Sequence, residues 1–283
     1  MVKSFASWNR LDQMPPGRAF EAWHLTDTVT QPRVFHSHEY YEIYFFLRGH
    51  TRVIIEDVDI SPSRGDVLVF PPHCMHRNIH LDSGEPYERF YLYATREFLQ
   101  TVSGEGFDLL GELDALLSGG CHFRLKDAAL EELLRLTEEV IAAAGSASPA
   151  ERLMNRHRMG MLLVRALMHL RAVGEPAPVS GLSPMGEVVR YLSEHVTEPV
   201  TLEELEHVFF MSRYALLRQF REHTGMTIHQ YLLTKRVLLA QELLAQGMKP
   251  SQVGERCGFA DYTSFYRAFR SRTGMSPAQY GRV

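Results

Sequence analysis

The sequence predicts an α+β chain of more than one domain. A small antiparallel β domain with a helical segment behind it comes first, followed by an all-α domain of seven helices. Three observations carry this. The chain has 283 residues, which suggests two domains at roughly 150 residues each. Its texture changes near Arg96, from short runs rich in Tyr, Phe, Val and Ile to apolar residues at helical spacing. Finally, Phe220-Arg221-Glu222-His223-Thr224-Gly225-Met226 returns as Phe269-Arg270-Ser271-Arg272-Thr273-Gly274-Met275, an offset of 49 residues. The same offset pairs Phe210 with Phe259, Arg218 with Arg267, Gln230 with Gln279 and Tyr231 with Tyr280. A repeat of this kind at a chain end suggests two copies of one small device.

Composition bounds the answer. With 45% apolar and 23% charged residues, the chain can bury ordinary cores. Cys74, Cys121 and Cys257 are scattered without a CxxC pair, which points to a reducing cytoplasm and away from a disulfide framework or a cysteine zinc site. The first residues lack the apolar stretch of a signal peptide. The best apolar run, Met159–Leu170, is interrupted by Arg165, so no membrane span is expected. Net charge is −4 overall, but 12 Lys and Arg against 10 Asp and Glu from Pro184 onward give +2 there and leave −6 on the rest. That asymmetry has the sign of a nucleic-acid-contacting C-terminal half.

Residues 1–98 form the expected β domain. Pro15-Pro16-Gly17 breaks its mixed start. The strand runs are YEIYFFL, TRVIIEDV, GDVLVF and ERFYLYA, separated by Arg48-Gly49-His50, Ser61-Pro62-Ser63 and Pro71-Pro72. Short strands at this spacing suggest a sandwich or small barrel. Residues 99–173 are expected to be helical over Asp108–Leu117, Ala128–Ala144 and Ala150–Val173. The last of these carries Leu153, His157, Met161, Val164, Met168 and Arg171 along one side, with Leu163, Leu167 and Leu170 beside them. It can pack on its own β domain or pair with a second copy as a dimerisation helix; amphipathicity leaves both open. Residues 174–183, rich in Pro and Gly, read as a linker.

Residues 184–283 are punctuated by caps. Ser183-Pro184 starts one helix, with proline where its missing N–H costs nothing. Thr201-Leu202-Glu203-Glu204 is a capping box, and Thr227…Gln230 and Ser276…Gln279 form two more at the repeat offset. The expected helices are 184–195, 202–209, 213–223, 228–246, 251–257, 262–271 and 277–281. The second and third, and again the fifth and sixth, make helix-turn-helix units. In the third and sixth helices, Leu216/Phe220 and Phe265/Phe269 are i, i+4 pairs that should face a core. Left outside are Arg213, Tyr214, Leu217, Arg218 and Arg221, then Tyr262, Thr263, Tyr266, Arg267 and Arg270. Guanidinium groups, hydroxyls and an apolar side chain suit phosphates, guanine edges and thymine methyls in a major groove. A solvated helix face is the bland reading of either set alone; two sets in register are harder to dismiss. The helix between them, at ~1.5 Å per residue, spans roughly 28 Å, near the ~34 Å repeat of a groove along one DNA face.

TLEELEHVFFMSRYALLRQFREHTGMTIHQYLLTKR and SQVGERCGFADYTSFYRAFRSRTGMSPAQY resemble the DNA-binding domain of the AraC/XylS family of bacterial transcription regulators. The resemblance covers about the last hundred residues. It places base and phosphate contacts on Tyr214, Leu217, Arg218, Tyr262, Thr263, Tyr266 and Arg267. Glu206 stands where the family usually has a small residue, Phe210 where it often has glycine, and Pro250 where it has an apolar residue. Tyr266 is bulkier than the serine often found there, so base preference cannot be copied.

In the β domain, His36-Ser37-His38-Glu39-Tyr40-Tyr41-Glu42 reads HxHxxxE, and GDVLVFPP leads to His76. On a strand, residues 36, 38 and 42 share one face. The two stretches resemble the paired cupin motifs, in which three histidines and a glutamate hold a divalent metal; His73 stands where those motifs carry glycine. Two readings stay open. His36, His38, Glu42 and His76 hold a divalent metal such as Fe, Mn, Ni or Zn, or the same histidines hydrogen-bond an organic effector. Tyr44, Phe46, Tyr91 and Tyr93 would line the same effector pocket and could stack on a sugar, or serve as plain core.

The expected protein is therefore a cytoplasmic homodimer with no established cofactor. A cupin-like barrel senses a small molecule, a carbohydrate being one candidate. A helical segment dimerises the chain, and the double helix-turn-helix domain binds promoter DNA. The resemblance implies activation more often than repression, with RNA polymerase as a partner. The competing readings are a cupin metalloenzyme and a DNA-binding protein without an effector.

Overall fold

Period-two alternation in the first hundred residues builds strands that are buried on both faces. The computed structural model describes residues 14–15, 17–27, 34–81, 84–104, 106–173 and 183–281. The chain divides into two units, one of residues 1–55 and 59–180 and one of residues 56–58 and 181–283. In the first, β1 (Phe20–Asp27), β2 (Tyr40–Arg48), β5 (Asp66–Phe70), β7 (Tyr87–Thr95) and β8 (His122–Arg124) form one sheet in the order β1-β7-β2-β5-β8. β3 (Thr51–Ile55), β4 (Val58–Ile60) and β6 (His76–His80) form a second, ordered β4-β3-β6. Neighbours in the large sheet pair antiparallel. Among the described residues the two sheets do not close into one barrel. The outer edge of β6 meets the preceding chain through a single residue pair, His36 with His76, so the ladder ends there.

One face of the large sheet is plainly apolar. Tyr41, Ile43, Phe45 and Leu47 of β2 and Phe90, Leu92 and Ala94 of β7 share a core with the helices α1 (Arg96–Val102), α2 (Leu109–Leu117), α3 (Asp127–Ala142) and α4 (Pro149–Val173). The other face carries Tyr40, Glu42, Tyr44 and Phe46 on β2 and Tyr87, Arg89, Tyr91 and Tyr93 on β7, all buried as well. β8 has no counterpart in the sequence reading, because three residues are too few to show a period. A side-chain interaction fixes it instead. The Arg124 guanidinium donates to both oxygens of the fully buried Asp66 carboxylate at 2.6 and 2.7 Å, and the Ser63 amide adds a third bond at 2.7 Å. Burial alone would raise this carboxyl; His122, Arg124 and the Ser63 amide outweigh it and bring it down to about 2.

α4 packs on its own domain through Met159, Leu162, Leu163, Ala166, Leu167 and Leu170. Gly160 lets α4 approach closely there, since a Cβ would sit 2.9 Å from the Val102 side chain and force it to shift. The opposite stripe, Leu153, Met161 and Met168, is 57, 49 and 56% exposed. Both faces of the helix thus carry apolar side chains, and among the described residues only one is covered.

The second unit is helical: α5 (Pro184–Glu194), α6 (Leu202–Phe209), α7 (Arg213–Thr224), α8 (Ile228–Ala245), α9 (Pro250–Arg256), α10 (Tyr262–Thr273) and α11 (Pro277–Tyr280). Each begins and ends within two residues of the sequence expectation, because the caps are local and all three capping boxes form. The repeated Thr-Gly-Met is a helix exit. Thr224 donates to the Phe220 carbonyl at 2.8 Å and accepts from the Met226 amide at 3.1 Å, while Gly225 takes the left-handed conformation at φ 76°. Thr273, Met275 and Gly274 reproduce this at the end of α10.

The two helix-turn-helix turns differ. Phe210 and Gly258 occupy the same place: Met211 donates to the Glu206 carbonyl as Phe259 does to that of Gly254. That equivalence is an offset of 48 before the turn, against 49 after it, so the second turn is one residue longer. Gly258, at φ 77°, also lies so close to Thr197 that a Cβ would meet its carbonyl oxygen at 2.5 Å. Phe210 adopts φ 51° with its ring 90% exposed. A left-handed non-glycine residue costs ~1–2 kcal/mol, and the exposed ring returns little burial. Phe210→Gly should raise the thermal midpoint, reflecting a stability gain of up to about 1 kcal/mol after the entropy of glycine is deducted. A lowered midpoint would show that the ring has a packing role.

Candidate nucleic-acid interface and ligand site

α7 and α10 present the outward sets that their spacing implies. Leu216, Phe220, Phe265 and Phe269 are fully buried, and this fixes the opposite faces outward. Tyr214 is 78% exposed, and Arg213, Leu217, Arg218 and Arg221 are exposed with it. On α10, Tyr262, Thr263, Arg267 and Arg270 are exposed, whereas Tyr266 is half-buried beside Tyr262, with ring centroids 6.3 Å apart. Ser212 and Asp261 cap the two helices by accepting the amides of Ala215 and Ser264 at 3.4 and 2.8 Å.

The two faces differ in electrostatics. Arg218 donates to both oxygens of Glu222 at 3.0 and 3.3 Å. The unusual Glu206 accepts the Arg213 amide at 2.6 Å and lies 3.4 Å from its guanidinium. It thus caps the first recognition helix and adds negative charge there. Its equivalent in the second unit is Gly254, where a Cβ would press on the Phe265 ring at 3.1 Å. Among the described residues, no carboxylate pairs with Arg267 or Arg270 within 4.0 Å.

The second site lies on the polar face of the large sheet. His38, Glu42 and His76 converge there, each less than 10% exposed, with donor atoms all within 4.8 Å of one another. The chain builds this locally. His73, left-handed at φ 65°, donates its amide to the His38 carbonyl at 2.8 Å and turns the chain into β6. His36 reaches the same place through its backbone pairing with His76, their rings 4.3 Å apart, but it is not one of the three converging groups. Tyr93 stands next to His38 at 6.2 Å between ring centroids, and Tyr91 and Tyr44 follow along the face. Phe46 is also buried on this face, 6.4 Å from the Tyr87 ring.

The hydrogen bonding at the three groups is short of positive charge. His38 Nδ1 faces the Tyr40 carbonyl at 2.8 Å and Nε2 faces the Glu42 carboxylate at 2.8 Å. His76 Nδ1 faces the Cys74 carbonyl at 3.1 Å, and its buried Nε2 lies 3.6 Å from Glu42 without a hydrogen-bond partner. A neutral imidazole has one N–H and cannot donate on both sides. Burial lowers the His38 pKa, outweighing the attraction of Glu42. Burial also opposes ionisation of Glu42, yet His38 and His76 hold its carboxyl well below the usual range. Both Nδ1–H groups facing carbonyls, with Nε2 lone pairs and a carboxylate converging, is how ligands to a divalent cation are oriented. The three residues therefore fit one.

Sequence reasoning missed Arg89, Tyr87 and Asn78 on this face. The Asn78 amide donates to the Tyr91 hydroxyl at 3.0 Å, and the Tyr44 and Tyr87 hydroxyls are 2.9 Å apart. The signal was present: Tyr87, Arg89, Tyr91 and Tyr93 alternate, so once Tyr91 and Tyr93 are placed inside, the arginine follows.

Residues 15–163 match the AraC-like ligand binding domain and residues 205–282 a helix-turn-helix domain. The chain is 29% identical to the probable transcriptional regulator LumQ of Photobacterium leiognathi over 90% of its own length and 94% of that protein. It is 26% identical to the transcriptional activator RhaS of Salmonella schwarzengrund, covering 86% of this chain and 85% of RhaS. Among solved structures, the DNA-binding domain of AdpA in complex with a target DNA aligns with 35% of this chain and 91% of its own, at 39% identity and a TM-score of 0.34.

Proposed function

The chain belongs to the AraC family of transcriptional regulators, and on that premise we propose a dimeric activator whose β domain takes a small-molecule effector and whose α7 and α10 read one promoter. The observation that carries the DNA reading is the pair of exposed Arg- and Tyr-bearing faces, each on a helix with a capped start and a Thr-Gly-Met exit. α8 joins them with 18 residues, about 27 Å, so the two can enter adjacent segments of one groove face. Since the faces differ chemically, one domain binds an asymmetric site. Footprinting of DNA upstream of its own and neighbouring genes, with and without candidate sugars, tests this. Protection of two segments about one turn apart is expected, and no sequence-specific protection on any such DNA would overturn it. RhaS, an activator by name, favours activation, and RNA polymerase and a cytoplasmic setting belong to the same proposal. No helix among the described residues is long and apolar enough to cross a membrane.

The buried tyrosines beside His38, Glu42 and His76 support placing the effector on the polar sheet face. His38, Glu42 and His76 are the residues that would hold a divalent cation, which there would supply a Lewis-acid anchor for an oxygen of the effector. Effector control acts through a difference in affinity between DNA-competent and incompetent states. The relatives are regulators, which favours this role over an enzyme's. The uncovered stripe on α4 supports the dimer. Met161→Glu with Met168→Glu should weaken self-association at least ~10-fold by sedimentation, because charges at an apolar interface are left unpaired, while the thermal midpoint of the monomer stays put. Unchanged association would move the interface elsewhere.

A further inference from the structure

Arg89 is the third residue of β7, a strand paired on both sides in the large sheet, and is only 1% exposed. Its cross-strand neighbours are Leu25 on β1 and Phe46 on β2. An apolar residue would serve the sheet there. The guanidinium lies 4.1 Å above the centre of the Tyr87 ring and 5.7 Å from that of Tyr91. It donates to the Tyr87 carbonyl at 3.2 Å and to the Asp27 carboxylate. Asp27 is the last residue of β1, its side chain 14% exposed. The hydroxyls of Tyr44, Tyr87 and Tyr91 interact electrostatically with this cation, and Asn78 donates to that of Tyr91.

A buried ion pair of this sort adds little stability over apolar residues of similar volume, although removing one partner is costly. Its place among four further polar groups on the sheet face already assigned to the effector calls for another role. We propose that Arg89 is an anion anchor in the effector site, that Asp27 occupies it when no effector is bound, and that the effector is a small carboxylate. The carboxylate takes the place of Asp27 on the planar guanidinium, a geometry suited to paired N–H···O bonds. Tyr87 and Tyr91 flank it, and Asn78 with the tyrosine hydroxyls offers bonds to further oxygens. This rests on the reading of that face as the effector site, and it narrows the ligand class: a sugar acid or an aromatic acid rather than a neutral sugar.

Chemical rescue in the full-length chain tests the idea without knowing the effector. Asp27→Asn removes the carboxylate to which Arg89 donates and should lower the thermal midpoint by on the order of 10 °C. Millimolar acetate or benzoate should recover more than half of that loss, while chloride at equal ionic strength should not. Arg89→Met with Asp27→Asn removes both charges. It should fold without rescue and show no response to acetate, which keeps the test valid if Asp27→Asn alone folds poorly. In the wild-type chain, galacturonate and benzoate should raise the midpoint more than galactose and benzyl alcohol. Absence of rescue by either acid, or equal wild-type shifts from the neutral members, overturns the anchor. Neither result touches DNA binding, so the regulator reading would stand or fall separately by footprinting.

Discussion

Arg218→Ala and Arg267→Ala should each weaken operator binding by about 1–3 kcal/mol, a loss of ~5- to 150-fold in fluorescence-anisotropy titrations. Both arginines are exposed on the second turn of a recognition helix. Their contexts make the two losses different in kind. Arg218 arrives at DNA already paired with Glu222. Exchanging that pair for a phosphate or guanine costs up to ~1 kcal/mol, and in the alanine variant Glu222 is left facing the polyanion. Arg267 has no carboxylate within 4.0 Å among the described residues, only the longer-range attraction of Asp261, and so gives up less on meeting DNA. If an arginine binds phosphate, its loss lowers the salt slope by about 1 and affects all sequences alike; if it binds a base edge, the loss relaxes one operator position. Glu222→Gln should then tighten binding to any DNA a few-fold. Full affinity in both arginine variants would remove α7 and α10 as readers.

How much of this was legible in the sequence follows from the range of the forces involved. The helices of the second unit could be placed because Ser212, Asp261, Thr227 and Ser276 act on amides two or three residues away. The repeat drew attention first, yet its most conspicuous residues turn out to be scaffold: Thr224, fully buried and bonded to Phe220 and Met226, and Gly225 end the helix. Phe210 was legible as a departure from glycine, but only its φ of 51° shows that the phenylalanine is held in the conformation glycine would take. In the β domain the determining contacts are distant. The Asp66–Arg124 pair joins residues 58 apart and creates a strand that no period announces. Residues on β2 and β7 are buried on both faces, so alternation does not separate core from site. Alternation with Tyr91 and Tyr93 puts Arg89 on the inner face, but its pairing with Asp27 joins residues 62 apart and is not legible in the sequence. His36 shares the HxHxxxE period with His38 and Glu42, but both histidines lie before β2 begins, where strand alternation does not govern the rings: His38 is held by the Tyr40 carbonyl and Glu42, and His36 is placed by its backbone pairing with His76.

Glu42→Gln should separate cation binding from folding. In the wild-type chain without metal, a buried carboxylate faces two imidazoles whose other nitrogens also face acceptors, so the cluster must import positive charge as protons or as a cation. His38 resists protonation because of its burial. Its folded pKa lies below the ordinary 6.5, so the metal-free fold should lose stability as pH falls below about 6.5 and the unfolded chain takes up the proton first. Stoichiometric Zn²⁺, Ni²⁺ or Mn²⁺ supplies the charge without that penalty. At 100-fold excess over Kd it should stabilise by about 2.7 kcal/mol, less at acid pH, where protons compete for the same lone pairs. Glutamine removes the negative charge and adds an N–H that can donate to His38 Nε2 while Nδ1–H donates to Tyr40. The variant should therefore keep its midpoint in chelator, lose metal retained through dialysis and lose the metal-induced rise. Equal metal content and equal shifts in the two proteins would show that His38 and His76 are balanced by protons and serve the effector as hydrogen-bond donors. Footprinting in chelator then says whether the cation is part of the signal: a response to effector that survives metal removal places the cation in the structure of the sensor alone.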